Sequence, residues 1–155
     1  MATSPALEKI LAAKRADAYK DDKSLEELRG THKASGSAIP LPDGTTCEAV
    51  DADGVPAEWI EVAGVARDKV FLFIHGGGYY RGSVAATRST AARISKATGM
   101  RCLSIDYRLA PEDPFPAGVD DTYAAYKWLL GQGVDASQIV VGGVSAGGGL
   151  TMALL

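Results

Sequence analysis

The segment Gly143-Val144-Ser145-Ala146-Gly147 joins a short apolar strand, predicted at Gln138–Val141, to a helix that begins after Ser145. A serine on such a sharp strand-to-helix turn sits in strained backbone geometry, and side chains two residues to either side would clash. Glycine at both flanking positions removes the clash and presents the Ser145 hydroxyl beside a helix N-terminus. Chance alone supplies this pattern in about one sequence of this composition in eight. Its position between strand and helix is therefore what predicts a nucleophile.

A second glycine-rich segment, His75-Gly76-Gly77-Gly78, follows the continuous apolar run Val70–Ile74. Such a run is typical of a strand that is covered on both faces. Successive glycines let backbone N–H groups approach a tetrahedral oxyanion without obstruction, and Ala146 can add a third N–H group. A phosphate-binding loop would continue with Gly-Lys-Ser/Thr, whereas Tyr79-Tyr80-Arg81 follows here. A flexible hinge is the other alternative.

Strands and helices alternate through the second part of the chain. Strands are predicted at 70–74, 100–105 and 138–141, with helices at 84–98 and 117–130 that Gly99 and Gly131 close. This alternation indicates a parallel sheet with right-handed crossovers. Ligands bind such sheets at the carboxyl ends of the strands. Both glycine-rich segments follow strands, so we expect them to meet in one site.

The first part of the chain predicts a helical arm. Leu7, Ile10, Leu11 and Lys14 have helical spacing within residues 5–20, which gives one narrow apolar stripe. Ser24 and Glu27 form a capping-box signature for a short helix through Leu28, which Gly30 is predicted to end. Residues 31–44 are polar and rich in turn formers, and are interpreted as a linker.

A change in periodicity follows the arm. Residues 47–52 and 57–62 flank Asp53-Gly54, a dipeptide typical of hairpins, so two antiparallel strands are predicted. The domain division is therefore an arm with its linker at 1–44 and the main domain at 45–155.

Composition excludes several classes of function. The net charge of −3 and the lack of a basic tract argue against a nucleic-acid partner, and no apolar run is long enough for membrane insertion. Charged residues at 8, 9, 14 and 15 argue against a secretory signal and favour the cytoplasm. Gly131–Ala136 matches a dinucleotide-binding pattern, but it follows a helix and not a strand, so it is not interpreted as a cofactor site. Neither a cofactor nor a metal is predicted. Self-association stays open.

Two cysteines are too few for a disulfide framework. Cys102 lies in an apolar run and is predicted to be a buried free thiol. A single bridge between Cys47 and Cys102 is the alternative.

Four motifs between about Ala57 and the C-terminus together resemble the bacterial branch of the hormone-sensitive lipase family of carboxylesterases. They are His75-Gly76-Gly77-Gly78-Tyr79, Asp106–Glu112, Pro114–Ala117 and Gly143–Gly148. The resemblance implies the α/β class and the α/β-hydrolase fold, with a mostly parallel, doubly wound sheet and an N-terminal helical cap arm. By the same resemblance the chain is a fragment of a longer esterase, truncated after the turn that carries the nucleophile; the alternative is a natural short chain that a partner completes.

The resemblance also implies roles at the site. Ser145 is the nucleophile, the N–H groups of Gly77, Gly78 and Ala146 donate to the oxyanion, and His75, Gly76, Gly143 and Gly147 support the two loops. In this assignment His75 organises the glycine loop and is not the base. Tyr79 and Tyr80 are candidates to line the mouth of the substrate site, and a solvent-facing position is the equal alternative for both.

By the resemblance the tract Tyr107–Ala117 is structural, with its prolines and Arg108–Glu112 fixing the loop that supports the site. Asp120 and Asp121 suit the positive end of the following helix and are interpreted as structural, not as a triad acid. Two positions depart from the family pattern: Val144 stands where Asp is most frequent, and Asp113 where His is frequent.

The implied activity is that of a carboxylic ester hydrolase, which forms an acyl-enzyme on small, uncharged esters with a short to medium acyl chain. In this fold the triad acid and histidine follow the serine in the chain. The only histidines here are His32 and His75, so we expect both triad partners beyond residue 155 and the chain alone to be inactive. A non-catalytic small-molecule binder is the alternative from another class, and amide hydrolysis or acyl transfer is a weaker one.

Overall fold

The computed structural model describes residues 4–17 and 23–155, and these contain five α-helices and five strands. The helices are α1 (Pro5–Asp17), α2 (Leu25–Ser37), α3 (Val84–Thr98), α4 (Ala117–Gly131) and α5 (Ala146–Leu154). The strands are β1 (Thr45–Asp51), β2 (Pro56–Val62), β3 (Ala66–Ile74), β4 (Met100–Ile105) and β5 (Ile139–Gly143). None of the described helices has the length and apolar character needed to cross a bilayer.

The strands form one mixed sheet in the order β1-β2-β4-β3-β5. The strands β3, β4 and β5 are parallel, whereas β1 and β2 pair antiparallel and extend the sheet at one side. The hairpin prediction is confirmed, and both Asp53 and Gly54 have positive φ angles, of 61° and 86°. This is the conformation that a two-residue hairpin turn requires.

Alternate residues of the strands face two hydrophobic cores. One contains Leu72, Ile74 and Leu103 with residues of α4 and α5, and the other contains Phe73 and Cys102 with residues of α3. The predicted double coverage of β3 is therefore confirmed. Because β3, β4 and β5 are parallel, their carboxyl ends lie at one edge of the sheet, and the glycine-rich loops begin there.

The two cysteines are free thiols, so the alternative of a Cys47–Cys102 bridge is wrong. Cys102 is fully buried in the core that faces α3, as predicted. Cys47 lies on β1 and is exposed. Burial raises the pKa of both thiols, far more so for Cys102.

The helix α2 corrects the prediction that a helix ends at Gly30 and a linker occupies 31–44. Helical backbone continues to Ser37. A Cβ atom at Gly30 would meet nothing within 4 Å, whereas one at Gly36 would lie 2.7 Å from the Cα of Ala86 in α3. The tight packing of α2 on α3 stabilises the last two turns, so tertiary contact overrides the local preference of glycine to end a helix.

The start of α2 follows the predicted capping box. The Ser24 hydroxyl accepts from the Glu27 N–H at 3.2 Å, and the Glu27 carboxylate accepts from the Ser24 N–H at 2.7 Å. The helix predicted within residues 5–20 is α1, and residues 18–20 lie outside the described residues.

The strand β3 begins earlier than the predicted residue 70. Ala66 already pairs with Met100, and the register then shifts before Val70. The intervening residues 67–69 are charged, so the apolar pattern starts only where the strand enters the core. The other predicted strand and helix limits agree with the structure to within two residues.

Candidate active site

Ser145 lies on the turn between β5 and α5, with φ of 54° and ψ of −116°. A non-glycine residue in this region is strained by about 1–3 kcal/mol and keeps its conformation only where the surroundings impose it. A Cβ atom at Gly143 would lie 2.7 Å from the Ile74 oxygen, and one at Gly147 would lie 2.7 Å from the His75 oxygen. Ser145 itself is exposed. Backbone crowding on both sides of the turn thus presents the hydroxyl to solvent.

The two glycine-rich loops are in direct contact. A Cβ atom at Gly76 would lie 2.5 Å from the Val144 oxygen and 3.3 Å from the Ser145 Cβ atom. The Val144 N–H also donates to the Ile74 oxygen at 3.2 Å. Segments separated by some 70 residues in sequence therefore meet at the edge of the sheet, through positions where only glycine fits.

The glycine loop turns back on itself directly after Gly76. Gly77 and Gly78 have φ angles of 131° and 65°, and the N–H groups of Tyr80 and Arg81 donate to the Gly77 oxygen at 3.4 and 3.1 Å. Within the part of the chain that the structure describes, the N–H groups of Gly77, Gly78 and Ala146 donate no hydrogen bond. Gly77 and Gly78 border the same cavity as Ser145, and Ala146 follows Ser145 in the chain.

His75 is buried beneath this loop, with 1% of its surface exposed. Its Nδ1–H donates to the Gly76 oxygen at 2.8 Å, and its ring stacks on Tyr107 at 4.3 Å between centroids. The Tyr107 hydroxyl donates to the His75 oxygen at 3.1 Å. Burial lowers the pKa of His75, so the ring is neutral at neutral pH. The structure therefore places the His75 ring in contact with the Gly76 oxygen and the Tyr107 ring.

In the tract after β4, Arg108 pairs with Asp121 of α4 and Glu112 pairs with a residue of α2. The Arg108 guanidinium donates to the Asp121 carboxylate at 2.7 and 3.0 Å, and the Arg108 N–H donates to the same carboxylate at 2.7 Å. Asp121 is therefore a structural residue, as interpreted from the sequence. The partner of Glu112 is Arg29 of α2, through two hydrogen bonds of 2.8 Å.

Two cavities open beside the site. The smaller, of about 310 Å³, is lined by Ser145, the three loop glycines, His32, Arg81 and Thr87 among others. The larger, of about 570 Å³, has a mainly apolar and aromatic lining that includes Tyr79, Tyr107, Phe115 and Leu150. Gly78 borders both cavities. The Tyr80 ring borders neither of these two and lies 5.4 Å from the Arg81 guanidinium.

Sequence reasoning missed His32, which it placed in a linker. The residue lies on α2, partly buried, and borders the same cavity as Ser145. A usable signal was present, because Leu25, Arg29, His32 and Gly36 continue one stripe at helical spacing beyond Gly30. Among the described residues, no group of three side chains is arranged to hold a metal ion.

Comparison with known proteins places this site in context. The family model described as alpha/beta hydrolase fold matches residues 71–155. A solved esterase from the bacterial hormone-sensitive lipase family is 46% identical, with a TM-score of 0.89, and the match covers 100% of this chain and 52% of the esterase.

Two curated relatives are also similar. The carboxylic ester hydrolase LipN of Mycobacterium tuberculosis is 32% identical over an alignment of 160 positions, gaps included, that covers 95% of this chain and 43% of LipN. The acetyl-hydrolase of Streptomyces hygroscopicus is 41% identical over 100 residues, which is 64% of this chain and 33% of that enzyme. The chain thus spans at most about half the length of these relatives. On the match of the family model and the sheet described above, the chain belongs to the alpha/beta hydrolase fold family.

Proposed function

We propose that the protein containing this chain is a carboxylic ester hydrolase that acts through an acyl-enzyme on Ser145. The observation that carries the proposal is the contact between the two loops, which puts the exposed Ser145 and the glycines Gly77 and Gly78 on the wall of one cavity. The names of the similar proteins, which include esterase, acetyl-hydrolase and carboxylic ester hydrolase, support the same class of reaction.

In the first half-reaction the Ser145 oxygen attacks the ester carbonyl carbon while a base takes the hydroxyl proton. The N–H groups of Gly77, Gly78 and Ala146 stabilise the oxyanion of the tetrahedral intermediate. The intermediate collapses with cleavage of the bond to the alkoxy oxygen, and the alcohol leaves with that proton. Water then attacks the acyl-enzyme, which releases the carboxylic acid and restores the hydroxyl.

The proposal includes a general base for Ser145 that is neither His32 nor His75. The Nδ1–H of His75 is engaged by the Gly76 oxygen, and in the described residues no histidine donates to or accepts from the Ser145 hydroxyl. In this fold the catalytic histidine follows the nucleophile in the chain. We therefore expect no turnover from residues 1–155 expressed alone, and turnover by this chain would show that His32 or His75 can serve as the base.

The cavities favour small, uncharged esters with a short to medium acyl chain. The larger cavity, of about 570 Å³, offers aromatic and aliphatic contacts from Tyr79, Phe115 and Leu150. Its size lies within the usual range for a site that binds one small molecule. Arg108, which is paired with Asp121, and Asp113 also line this cavity, but most of its surface is apolar, which favours an alkyl group.

The test uses the protein expressed from its complete gene. A fluorophosphonate probe is expected to label the wild-type protein and not Ser145→Ala, and the same variant is expected to lose hydrolysis of 4-nitrophenyl butyrate. Ser35→Ala is the matched control, because Ser35 is an exposed serine on α2 whose hydroxyl donates only to the Thr31 oxygen. Equal labelling of the wild-type protein and Ser145→Ala would reject the assignment.

A further inference from the structure

Arg29 reaches from α2 to the loops behind the oxyanion site. Its Nε–H donates to the Tyr80 oxygen at 2.7 Å, and its Nη2–H donates to the Ala110 oxygen at 2.9 Å. The same guanidinium donates twice to the Glu112 carboxylate, each time at 2.8 Å. Four hydrogen bonds thus use most of the five N–H donors that an arginine side chain carries.

The acceptors of Arg29 belong to the segments that shape the glycine loop. Tyr80 lies two residues after Gly78, and its N–H donates to the Gly77 oxygen at 3.4 Å. The Ala110 N–H donates to the Tyr79 oxygen at 2.9 Å, which ties the two segments to each other. Glycine adopts many backbone conformations at similar energy. The loop therefore needs external contacts to keep its N–H groups aimed at one point, and Arg29 supplies two of them.

We propose that Arg29 is a positioning residue of the oxyanion site, which holds the Gly77 and Gly78 N–H groups in place through the Tyr80 and Ala110 carbonyls. This inference rests on the proposed esterase function. It gives α2 a role in the chemical step through a defined set of hydrogen bonds. Arg29 itself contacts no reacting atom.

The chemistry of the contact requires arginine. A planar guanidinium binds a carboxylate with two parallel hydrogen bonds and still has an Nε–H for a third acceptor, whereas lysine is a compact charge on a flexible stem. Arg29 lowers the pKa of Glu112 to about 2, so the carboxylate stays ionised through the neutral range. The pair is partly exposed, with 30% and 56% of the two side chains accessible. The Arg29–Glu112 pair therefore fixes the position of the guanidinium and adds little to the free energy of unfolding.

The arm has contacts with the main domain that do not involve Arg29. Gly36 packs against Ala86 of α3, and the Ser37 hydroxyl donates to the Ala85 oxygen at 3.2 Å. These contacts lie at the other end of α2. Replacement of Arg29 is therefore expected to leave α2 docked and to release the glycine loop.

The experiment compares Arg29→Ala and Arg29→Lys with the wild-type protein expressed from its complete gene. Oxyanion contacts form only in the transition state, so kcat for 4-nitrophenyl butyrate should fall roughly 10- to 100-fold in both variants while KM changes little. The matched control is Arg67→Ala, which removes a 2.9 Å ion pair with Glu61 away from the loops. The control should keep the wild-type kcat.

Chemical rescue separates positioning from a merely structural role. Ethylguanidinium at millimolar concentration should restore part of the kcat of Arg29→Ala and none of that of Arg29→Lys, whose side chain fills the site. If Arg29→Ala does not fold, Arg29→Lys alone still tests the inference, because a wild-type kcat in that variant would overturn it. A kcat of Arg29→Ala within twofold of wild type would also overturn it, as would a loss confined to KM. Equal labelling of wild type and Ser145→Ala would instead reject the esterase assignment itself.

Discussion

The close contact between the nucleophile turn and β3 predicts how alanine substitutions at Gly147 and Gly148 change the free energy of unfolding. A Cβ atom at Gly147 would press on the carbonyl group of Ile74 and lie 2.7 Å from the His75 oxygen. Ordinary contacts of Cβ atoms begin at about 3.4 Å, and both obstacles are backbone atoms that cannot rotate away. Gly148→Ala is the matched control, because its nearest neighbour would be the Gly143 oxygen at 3.5 Å.

The two substitutions are expected to change the free energy of unfolding in opposite directions. Overpacking costs about 1–3 kcal/mol, and the upper end applies here because both obstacles are backbone atoms, so Gly147→Ala should lower the free energy of unfolding by about 2 kcal/mol once a gain of about 0.5–1 kcal/mol from the better helix former is subtracted. Gly148→Ala lies within α5 and meets no obstacle, so it should raise the free energy of unfolding by about 0.5–1 kcal/mol. The two variants should therefore differ by roughly 3 kcal/mol.

Urea unfolding of the protein expressed from its complete gene measures this difference. With a slope of about 2 kcal/mol per M, the midpoints of the two variants should be about 1.5 M apart. The nucleophile turn must also move away from the glycine loop in Gly147→Ala, so labelling by a fluorophosphonate should be lost there and kept in Gly148→Ala. The backbone contact would be refuted if Gly147→Ala unfolded at the wild-type midpoint or above it.

Three further predictions test the core and the loop supports. In the native protein an alkylating reagent should modify Cys47 and leave Cys102 unmodified, because Cys102 is fully buried and burial raises its pKa; modification of Cys102, mapped by mass spectrometry, would contradict the packing of β4. Asp121→Ala should lower the free energy of unfolding by about 1 kcal/mol, since it removes the buried carboxylate that accepts from the Arg108 backbone N–H, whereas the half-exposed Arg108 guanidinium is then hydrated, and an unchanged urea midpoint would contradict this role. The pKa of Glu112 is depressed from 4.5 to about 2, so the small contribution of this partly exposed pair to stability is present above pH 4.5 and is lost as the pH falls towards 2; Glu112→Gln should be slightly less stable than wild type at pH 5 by circular dichroism, the difference should shrink as the pH falls, and a constant difference would argue against the pairing.

Elements with local chemical signals were predictable from the sequence. The limits of α3 follow from Ser83, whose hydroxyl accepts from the Ala86 N–H, and from Gly99, which adopts the left-handed conformation at the C-cap. The hairpin follows from Asp53-Gly54 in the same way. In each case the residues that determine the structure lie within three or four positions of one another, so one window of sequence contains the whole cause.

The extent of α2 and of β3 was not predictable in this way. Gly30 has the identity of a helix stop, but its effect depends on whether the residues after it find a partner, and that partner is α3 some 50 residues later. The first residues of β3 are charged and carry no apolar alternation. Pairing of Ala66 with Met100 includes them in the sheet through the backbone, which side-chain patterns do not report.

The candidate site likewise has a part that was predictable from the sequence and a part that was not. The chemical groups were predictable because close backbone contact requires glycine, and a run of glycines after an apolar strand is rare enough to be informative. The groups that position them were not, because an arginine on a helix and a glutamate in a loop are what any protein surface contains. Arg29 and Glu112 are 83 residues apart, so no single window of sequence contains both. A positioning contact of this kind depends on where two segments meet in space. The Arg29–Glu112 pair could therefore be identified only from the folded structure.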